Sequence, residues 1–574
     1  MRQAPVLDPL RLGIVLCFFS VCTLALVGRL WYLQIMDHQS FVQQAENNHR
    51  DEEKVNPPRG SITDKDGNPL ALSIAGWEIS LDSRVLLASE PYQKRTIPSL
   101  ARNTGISEQT LLDKIREADG KALVLVSNFD YQKGNLLADA LLPGVVMRET
   151  SRRSYPEGSV AAPLIGFIGR DGVGLTGLEA DYQDNLAGTP GTFVFERDSI
   201  GNPIPVGYRA ITSPKQGQNV VLTLDRYIQR IAERELNAAV TRHKADGGTV
   251  IIMNPHNGAI LGMASNPTFD LTNLKLENAE AISNVRNRAL TDLYEPGSTF
   301  KVLTMAAAIN EGLVTPDTTY VDNGPVYKHG YNINTWDGAH WGTETMTQLL
   351  IHSNNVGAVW VSDKLGPDTF YRYVNQLGFG RPTGIGLTGE AVGQMRTPKT
   401  PTWSPIDLNT NAFGQGISAT PLQVITAINA AVNGGTLYQP YIVQGLQGTR
   451  TTQTFGATSG TRIFSSDTSQ KLRMMMKTVS ELGSPLAQVK GFNVGIKTGT
   501  ATIPTAGGYL ADATIASIVG FFPYEDPKAV VLVKIDHPRD SPWGSQTAAP
   551  VFSAIARELL IYWRIPPASD SKAR

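Results

Sequence analysis

The sequence predicts an α+β fold in which helices flank an antiparallel sheet. Strand-like apolar runs occupy residues 219–224, 248–253 and 259–264, and two more lie near the C-terminal end, at 515–522 and 529–535. Helical patterns fill most of the chain between these two groups. Strands, then helices, then strands and a closing helix suit an antiparallel sheet with helices packed against it. At 574 residues the chain is too long for one ordinary domain, so we expect two or three.

Composition narrows the class of protein. Hydrophobic residues make up 41% and charged residues 18% of the chain, as in a globular protein with large cores. The 51 Lys and Arg nearly cancel the 52 Asp and Glu, so neither a nucleic-acid surface nor an acidic tail is indicated. Cys17 and Cys22 are the only cysteines, which excludes a disulfide framework in the rest of the chain. No histidine pair has metal-ligand spacing on a helix, so we predict no metal. We also expect no cofactor.

The N-terminal segment predicts a membrane anchor. Residues 12–27 are apolar and uncharged, and Trp31 and Tyr32 suit a membrane interface. We therefore predict a cytoplasmic head over 1–11 and a transmembrane helix over 12–33. The alternative is a cleaved signal peptide, but no small-x-small cleavage site follows the apolar run.

Residues 34–215 form the predicted N-terminal domain. A turn at 66–69 joins two predicted strands. An amphipathic helix is expected over 108–118 and a second helical segment near 136–142, so we interpret 90–145 as an inserted helical subdomain.

Gly172, Gly174 and Gly177 match the Gly-x-Gly-x-x-Gly pattern of dinucleotide sites. A predicted strand over 164–168 precedes them and a predicted helix over 178–186 follows, as such a site requires. However, no run of alternating strands and helices surrounds the pattern. We therefore favour the alternative, a glycine-rich structural turn.

Residues 216–566 form the predicted C-terminal domain. Asp225 is suited to cap a helix over 226–243, and a helix over 550–563 closes the domain. The last residues, 567–574, are predicted to be a flexible tail.

Ser298 is a candidate nucleophile. Pro296 and Gly297 predict a turn and 299–310 a helix, so Ser298 stands at the helix start with Lys301 one turn on. Residues three apart share a helix face, so the amine can reach the hydroxyl. A serine alcohol needs such an adjacent base to become a nucleophile. By itself, the pattern favours an N-cap serine followed by an exposed lysine.

Two later motifs change that interpretation. Ser353-Asn354-Asn355 lies in a polar break between helical patterns, and Lys497-Thr498-Gly499-Thr500 follows an apolar run. Each motif alone is weak. In this order, Ser-x-x-Lys, Ser-x-Asn and Lys-Thr-Gly resemble the signature of penicillin-binding proteins and serine beta-lactamases.

Over nearly its whole length the chain resembles a class B penicillin-binding protein, a monofunctional peptidoglycan D,D-transpeptidase. The resemblance includes the anchor and the motifs 59–64 (RGSITD), 155–158 (YPEG) and 172–179 (GVGLTGLE). It implies an elongated N-terminal pedestal of the dimerisation type, followed by a transpeptidase domain like that of serine beta-lactamases. The phrases at 413–418 and 549–552 are similar to the division-type (septal) enzyme. The elongation-type relative remains the alternative.

The resemblance implies roles for the first two motifs. Ser298 attacks the carbonyl between the two terminal D-alanines of a stem peptide, and Lys301 is the base, neutral because it is desolvated and near another cation. Ser353 relays a proton to the leaving amine, and Asn355 binds substrate and Lys301. The middle residue, Asn354, replaces the aspartate of Ser-Asp-Asn and is not expected to carry chemistry.

The third motif is implied to bind the substrate. Lys497 supplies positive potential, and Thr498, Gly499 and Thr500 contact the substrate, the two threonines at its carboxylate. The backbone N–H groups of Ser298 and Thr500 form the implied oxyanion hole.

Three other functions and one other catalytic arrangement compete with the proposed transpeptidation. A class A beta-lactamase needs a glutamate that activates a deacylating water, and neither Glu390 nor Glu481 has the matching context. A D,D-carboxypeptidase and a catalytically silent penicillin-binding structural or sensor protein share the fold, but the large pedestal and the intact motifs favour the transpeptidase. A Ser-His-Asp triad with His352 is not needed, because Lys301 already lies one turn from Ser298.

The resemblance also implies partners and location. The ligands are stem peptides that end in D-Ala-D-Ala, and penicillins, which remain trapped on Ser298. The single helix places the protein in the cytoplasmic membrane with the catalytic domain outside. A membrane-embedded glycan polymerase and division-complex proteins are the implied partners, and no nucleic acid is expected.

Overall fold

The computed structural model describes residues 9–42, 50–196, 209–449, 451–505 and 508–568. By its internal contacts the chain divides into two units, residues 1–57 with 188–216 and residues 58–187 with 217–574. The predicted domain boundaries, 34–215 and 216–566, stay a prediction. So does the flexible tail, although Ala568 N donates to Gly491 O across 2.8 Å; residues 569–574 lie outside the described ranges.

The helices and strands are numbered in chain order. The helices are α1 (Pro9–Trp31), α2 (Ser83–Ala88), α3 (Glu90–Thr104), α4 (Glu108–Glu117), α5 (Tyr131–Asp139), α6 (Ala162–Ile165), α7 (Gly177–Asp181), α8 (Gln183–Ala187), α9 (Arg226–Arg242), α10 (Ala279–Ser283), α11 (Arg288–Thr291), α12 (Lys301–Asn310), α13 (Met346–His352), α14 (Asn355–Gln376), α15 (Pro405–Asn411), α16 (Pro421–Val432), α17 (Ser466–Thr478) and α18 (Gly544–Tyr562). The strands are β1 (Arg50–Val55), β2 (Ile62–Thr63), β3 (Pro69–Asp82), β4 (Ala122–Asp130), β5 (Val145–Ser154), β6 (Gly191–Glu196), β7 (Arg209–Thr212), β8 (Asn219–Leu222), β9 (Gly247–Met253), β10 (Ile260–Asn266), β11 (Thr319–Asp322), β12 (Val326–Lys328), β13 (Tyr331–Ile333), β14 (Gly342–Thr345), β15 (Gln394–Met395), β16 (Ile417–Ser418), β17 (Thr436–Leu437), β18 (Val443–Gln447), β19 (Thr452–Thr454), β20 (Thr461–Arg462), β21 (Gly495–Thr505), β22 (Gly508–Phe522) and β23 (Ala529–Asp536).

The first unit contains the apolar helix and a small sheet. Helix α1 continues as a π-helical turn over Tyr32–Met36, and together they form a 28-residue helix, Pro9–Met36, long and apolar enough to cross a membrane. The predicted span, 12–33, lies within it. Strands β1, β6 and β7 pair antiparallel in that order.

The N-terminal part of the second unit has its own small core. Strand β3 pairs with β4 and β5, and helices α2 to α5 pack around buried residues such as Ile79, Leu100 and Leu111. The predicted helix over 108–118 is confirmed as α4. The helical subdomain expected near 90–145 also contains a strand, β4. The second helix spans Tyr131–Asp139 rather than 136–142, since Asp130 caps it by accepting a hydrogen bond from the Lys133 N–H.

The glycine pattern lies in a tight turn beside a buried ion pair. The predicted strand over 164–168 was wrong: Ala162–Ile165 is a helical turn with proline at its second position, and within 164–168 only Ile168 makes a β-bridge. A Cβ atom at Gly174 would lie 1.9 Å from the Glu179 carbonyl oxygen, so this close backbone approach requires glycine. Glu179 itself is fully buried, with Arg59 Nε at 2.6 Å and Arg153 Nε at 2.7 Å. The pattern is therefore structural.

A five-stranded antiparallel sheet forms the centre of the C-terminal part, in the order β10-β9-β23-β22-β21. Every residue of β9 is buried, so helices cover both faces of the sheet. Helices α9 and α18 pack on its strands, and α16 packs on β9 and β23. The predicted antiparallel pairs 248–253 with 259–264 and 515–522 with 529–535 are confirmed.

The first helix of the C-terminal domain begins where predicted, whereas the closing helix is longer than predicted. Helix α9 starts as predicted after Asp225, whose carboxylate accepts hydrogen bonds from the N–H groups of Tyr227 and Ile228. The closing helix spans Gly544–Tyr562 instead of 550–563. Pro550 lies inside it rather than at its first turn, although a proline within a helix removes one backbone hydrogen bond and crowds the carbonyl group one turn before it.

Candidate active site

Ser298 lies on a single 3₁₀ turn, Gly297–Thr299, directly before α12. The helix predicted from residue 299 therefore begins two residues later, at Lys301. Gly297 has φ +57°, and a Cβ atom there would lie 2.9 Å from the Thr500 carbonyl oxygen. Its N–H donates to Gly414 O across 3.0 Å. The turn therefore packs closely between β21 and the loop before β16, and these two contacts position Ser298.

Lys301 is buried at the first turn of α12, with 1% of its surface exposed. Its Nζ lies 3.1 Å from Ser298 Oγ and 2.8 Å from Asn355 Oδ1. It also donates to the Ser353 carbonyl oxygen across 2.5 Å. Burial, and then the charge of Lys497, lowers the pKa of Lys301 well below its usual value.

Ser353 lies between two amines. It ends α13 in the left-handed conformation, with φ +55° and ψ +41°. Its Oγ lies 3.3 Å from Lys301 Nζ and 3.0 Å from Lys497 Nζ. The next residue, Asn354, caps α14 by accepting a hydrogen bond from the Gly357 N–H across 3.2 Å.

The third motif lies on the edge strand β21. Lys497 is 1% exposed, and burial lowers its pKa to about 7. A Cβ atom at Gly499 would lie 2.6 Å from Ser517 Oγ, so the strand passes too close to β22 for a side chain. Thr500 Oγ1 accepts a hydrogen bond from the Gly544 N–H across 3.2 Å. Its hydroxyl proton is therefore available to a ligand.

The three motifs border one cavity of about 680 Å³. The motif residues that line it are Ser298, Ser353, Asn355, Thr498, Gly499 and Thr500. Lys301 and Lys497 do not line the cavity themselves. Their amines contact the hydroxyl groups of Ser298 and Ser353, which do line it. The structure thus brings together all eight residues that the sequence singled out, although the last of them lies about 200 residues from the first.

Two aromatic residues of the cavity were not predicted from the sequence. Trp336 and Trp543 both line it, with ring centroids 4.7 Å apart at 63°. The indole N–H of Trp336 donates to the His352 carbonyl oxygen across 3.2 Å. No motif contains either tryptophan, and only their position beside the cavity identifies them.

His352 does not contact Ser298. Its ring stacks on Trp341, with centroids 3.7 Å apart, and its Nδ1 bonds to Glu344. The basic group beside the Ser298 hydroxyl is Lys301, so the geometry does not support a Ser-His-Asp triad.

Comparison with known proteins identifies the family. Residues 248–557 match the penicillin binding protein transpeptidase domain, and residues 54–222 match the penicillin-binding protein dimerisation domain. The chain therefore belongs to the penicillin-binding protein transpeptidase family. Its fold is that of the class B members, with a dimerisation domain before the transpeptidase domain, as the resemblance implied.

Individual members of the family match almost end to end. Stage V sporulation protein D of Bacillus subtilis is 34% identical over 568 residues, which cover 98% of this chain and 87% of the relative. Peptidoglycan D,D-transpeptidase FtsI of Escherichia coli is 30% identical, over 96% of this chain and 92% of the relative. Penicillin binding protein 2X of Streptococcus thermophilus superposes with a TM-score of 0.75 at 26% identity, over 89% of this chain and 80% of that structure.

Proposed function

We propose that this chain is a septal peptidoglycan D,D-transpeptidase that cross-links stem peptides through an acyl-enzyme on Ser298. The observation that best supports this function is the 3.1 Å separation of Ser298 Oγ from Lys301 Nζ. Burial, and then the charge of Lys497, lowers the pKa of Lys301 and so favours the neutral form of its amine. A neutral amine at this distance can remove the hydroxyl proton and activate the serine.

Acylation follows from the positions of the two lysines and Ser353. Lys301 takes the proton as Ser298 Oγ bonds to the carbonyl carbon of the penultimate D-alanine. The C–N bond to the terminal D-alanine then breaks, and Ser353, 3.3 Å from Lys301 Nζ, passes a proton to the departing amine. The N–H groups of Ser298 and Thr500 stabilise the negative charge that develops on the carbonyl oxygen.

The terminal carboxylate of the donor peptide binds at β21. Thr498 and Thr500 face the cavity beside Lys497. An anion here favours the charged form of Lys497, whose pKa is about 7 without substrate. Substrate binding therefore favours protonation of Lys497, and the resulting positive charge stabilises the bound carboxylate.

The acceptor in the second step is an amine. Neither glutamate considered as a water-activating base lines the cavity: Glu390 accepts hydrogen bonds from Thr383, and Glu481 pairs with Lys477. The acyl-enzyme then persists until the side-chain amine of a neighbouring stem peptide attacks it and releases Ser298. Penicillins undergo the same first step, and the resulting acyl group stays on the serine.

The cellular setting is also a proposal. The 28-residue apolar helix supports a single-pass anchor in the cytoplasmic membrane, with the N-terminus inside and the catalytic domain outside. The match to FtsI and the phrases at 413–418 and 549–552 support the septal role over elongation. In that setting the partners are a membrane-embedded glycan polymerase and the division complex.

The acceptor chemistry can be tested directly. The full chain in detergent is given a stem peptide that ends in D-Ala-D-Ala together with an isotope-labelled D-amino acid, and the products are weighed by mass spectrometry. We expect exchange of the terminal D-alanine for the labelled amine, and none with Ser298→Ala. Hydrolysis without exchange would instead identify a carboxypeptidase, and an inert wild type would rule out catalysis.

Depletion in the native host tests the septal role. Loss of a septal enzyme leaves filaments without completed septa. Rounded cells on depletion would instead assign the chain to elongation.

A further inference from the structure

A single buried carboxylate holds the residues on both sides of Ser353. Glu344 lies on β14 and is 1% exposed. Nδ1 of His352, the residue before Ser353, bonds to Glu344 Oε1. Nδ2 of Asn354, the residue after it, donates to Glu344 Oε2 across 2.8 Å. Both neighbours of the serine are therefore tied to one side chain on a different element.

Strand β11 supports this carboxylate and adds a second one. Tyr320 lies opposite Glu344 in the β11–β14 register and donates its hydroxyl to Oε2 across 2.6 Å. Asp322, 2% exposed, accepts a hydrogen bond from Asn354 Nδ2 across 2.7 Å. The fully buried amide of Asn354 thus donates to two carboxylates, while its Oδ1 accepts from Gly357. An aspartate at position 354 would cap α14 equally well but would face two other buried carboxylates.

The conformation of Ser353 explains why such support matters. Its φ of +55° is one that residues other than glycine disfavour, and such backbones persist where the surroundings fix them. In this conformation its carbonyl oxygen accepts from Lys301 Nζ and its hydroxyl meets Lys497 Nζ. A small rotation at Ser353 would break both contacts.

We propose that Glu344 is a positioning residue for acylation. Through His352 and Asn354 it holds Ser353 in the strained backbone that places the serine between the two lysines. Glu344 lies outside the cavity lining, so it acts without touching substrate. The assignment rests on the proposed function, because it concerns the proton relay at Ser353. It also gives a reason for asparagine rather than aspartate in the middle of the Ser-x-Asn motif.

The test separates binding from acylation. Stopped-flow labelling of the full chain in detergent with a fluorescent penicillin yields the dissociation constant of the first complex, Kd, and the acylation rate constant, k2. For Glu344→Ala we expect k2 to fall by about 10²-fold, as for a reacting group displaced by roughly 1 Å, with Kd changed less than about threefold. Glu344→Gln keeps the shape and an oxygen for Asn354 and Tyr320, so k2 should return to within about fivefold of wild type.

Tyr320→Phe is the matched control. It removes a hydrogen bond to the same carboxylate but touches neither neighbour of Ser353. We expect a lower Tm and an unchanged k2. If Tyr320→Phe slows acylation as much as Glu344→Ala, the effect is a general loss of packing and the positioning role is wrong.

Asn354→Asp keeps the test decisive if Glu344→Ala does not fold. The substitution is isosteric and preserves the cap of α14, but it sets a third carboxylate against Asp322 and Glu344. We expect k2 to fall at least about tenfold, and an unchanged k2 overturns the proposal. A wild-type chain that is not acylated at all overturns the proposed function and this role with it. If the wild type is acylated and Glu344→Ala has the same k2, only the role of Glu344 is overturned.

Discussion

Lys301 and Lys497 share one hydrogen-bonding partner, the hydroxyl of Ser353, at 3.3 and 3.0 Å. Each amine is buried, and the charge of Lys497 adds to burial in lowering the pKa of Lys301. Two like charges this close favour the loss of one proton from the pair. The arrangement therefore favours the neutral form of Lys301, which is the form that the proposed activation of Ser298 requires.

Removing the charge of Lys497 should move the pH profile of acylation. In the proposed mechanism the neutral form of Lys301 is the base, so we expect k2/Kd to rise as pH increases through the pKa of Lys301. Lys497→Gln removes a nearby positive charge, so the pKa of Lys301 rises and the acid limb moves to higher pH. Fluorescent penicillin labelling between about pH 5.5 and 9.5 measures the shift, and Lys497→Arg, which keeps the charge, is the control. An acid limb that stays in place or moves to lower pH would contradict the coupling.

Lys497 should also affect stability in a pH-dependent way. Its pKa is about 7 in the folded chain and 10.5 as the ordinary value, so the unfolded state binds more protons between these two pH values. The free energy of unfolding therefore rises with pH across this window, and the destabilisation due to Lys497 is complete below pH 7. Compared with Lys497→Met, wild type should gain at least about 2 °C in Tm from pH 7 to 9.5. If the Tm of the two proteins changes equally with pH, the pKa of Lys497 is not lowered in the folded chain.

Glu179 should be essential for stability but not for chemistry. Its fully buried carboxylate pairs with Arg59 and Arg153, so Glu179→Gln leaves two guanidinium groups without a counter-charge. We expect a loss of about 3–5 kcal/mol in the free energy of unfolding, with normal penicillin labelling of the folded fraction. The matched control is Glu90→Gln, which breaks an exposed pair with Lys94 and should cost less than about 0.5 kcal/mol. Equal effects of the two substitutions would argue against a buried network.

Gly499→Ala should disable the site without unfolding the domain. The new methyl group would lie 2.6 Å from Ser517 Oγ and 2.9 Å from Thr299 Cγ2, so β21 must move away from the turn that carries Ser298. A displacement of about 1 Å predicts a fall of about 10²-fold in k2. Gly456→Ala, where a Cβ atom meets nothing within 4 Å, is the control and should change neither k2 nor Tm. Normal acylation by Gly499→Ala would show that the strand can adjust.

Local sequence patterns predicted the structure correctly where contacts between residues close in sequence determine it. The spacing of Ser298 and Lys301 on one helical turn, the Asp225 cap and the two antiparallel strand pairs all depend on neighbours in sequence, and all were predicted. The order of the three motifs then placed Ser353 and Lys497 at the same site through the family resemblance.

Contacts between residues far apart in the sequence could not be predicted. Glu344 and Tyr320 meet because β11 pairs with β14, and neither short strand has a periodicity that reveals the register. Similarly, Trp336 and Trp543 meet from loops more than 200 residues apart, and no local pattern relates them. The supporting side chains around Ser353 could therefore be found only in the structure.

The identity of the nucleophile can be tested most directly by locating a penicillin adduct. The full chain is treated with benzylpenicillin, digested and analysed by mass spectrometry, beside Ser298→Ala and Lys301→Ala. We expect one adduct per chain, on the peptide that contains Ser298, no adduct with Ser298→Ala and strongly slowed formation with Lys301→Ala. An adduct on another residue, or undiminished labelling of Ser298→Ala, would contradict the assignment of Ser298 as the nucleophile.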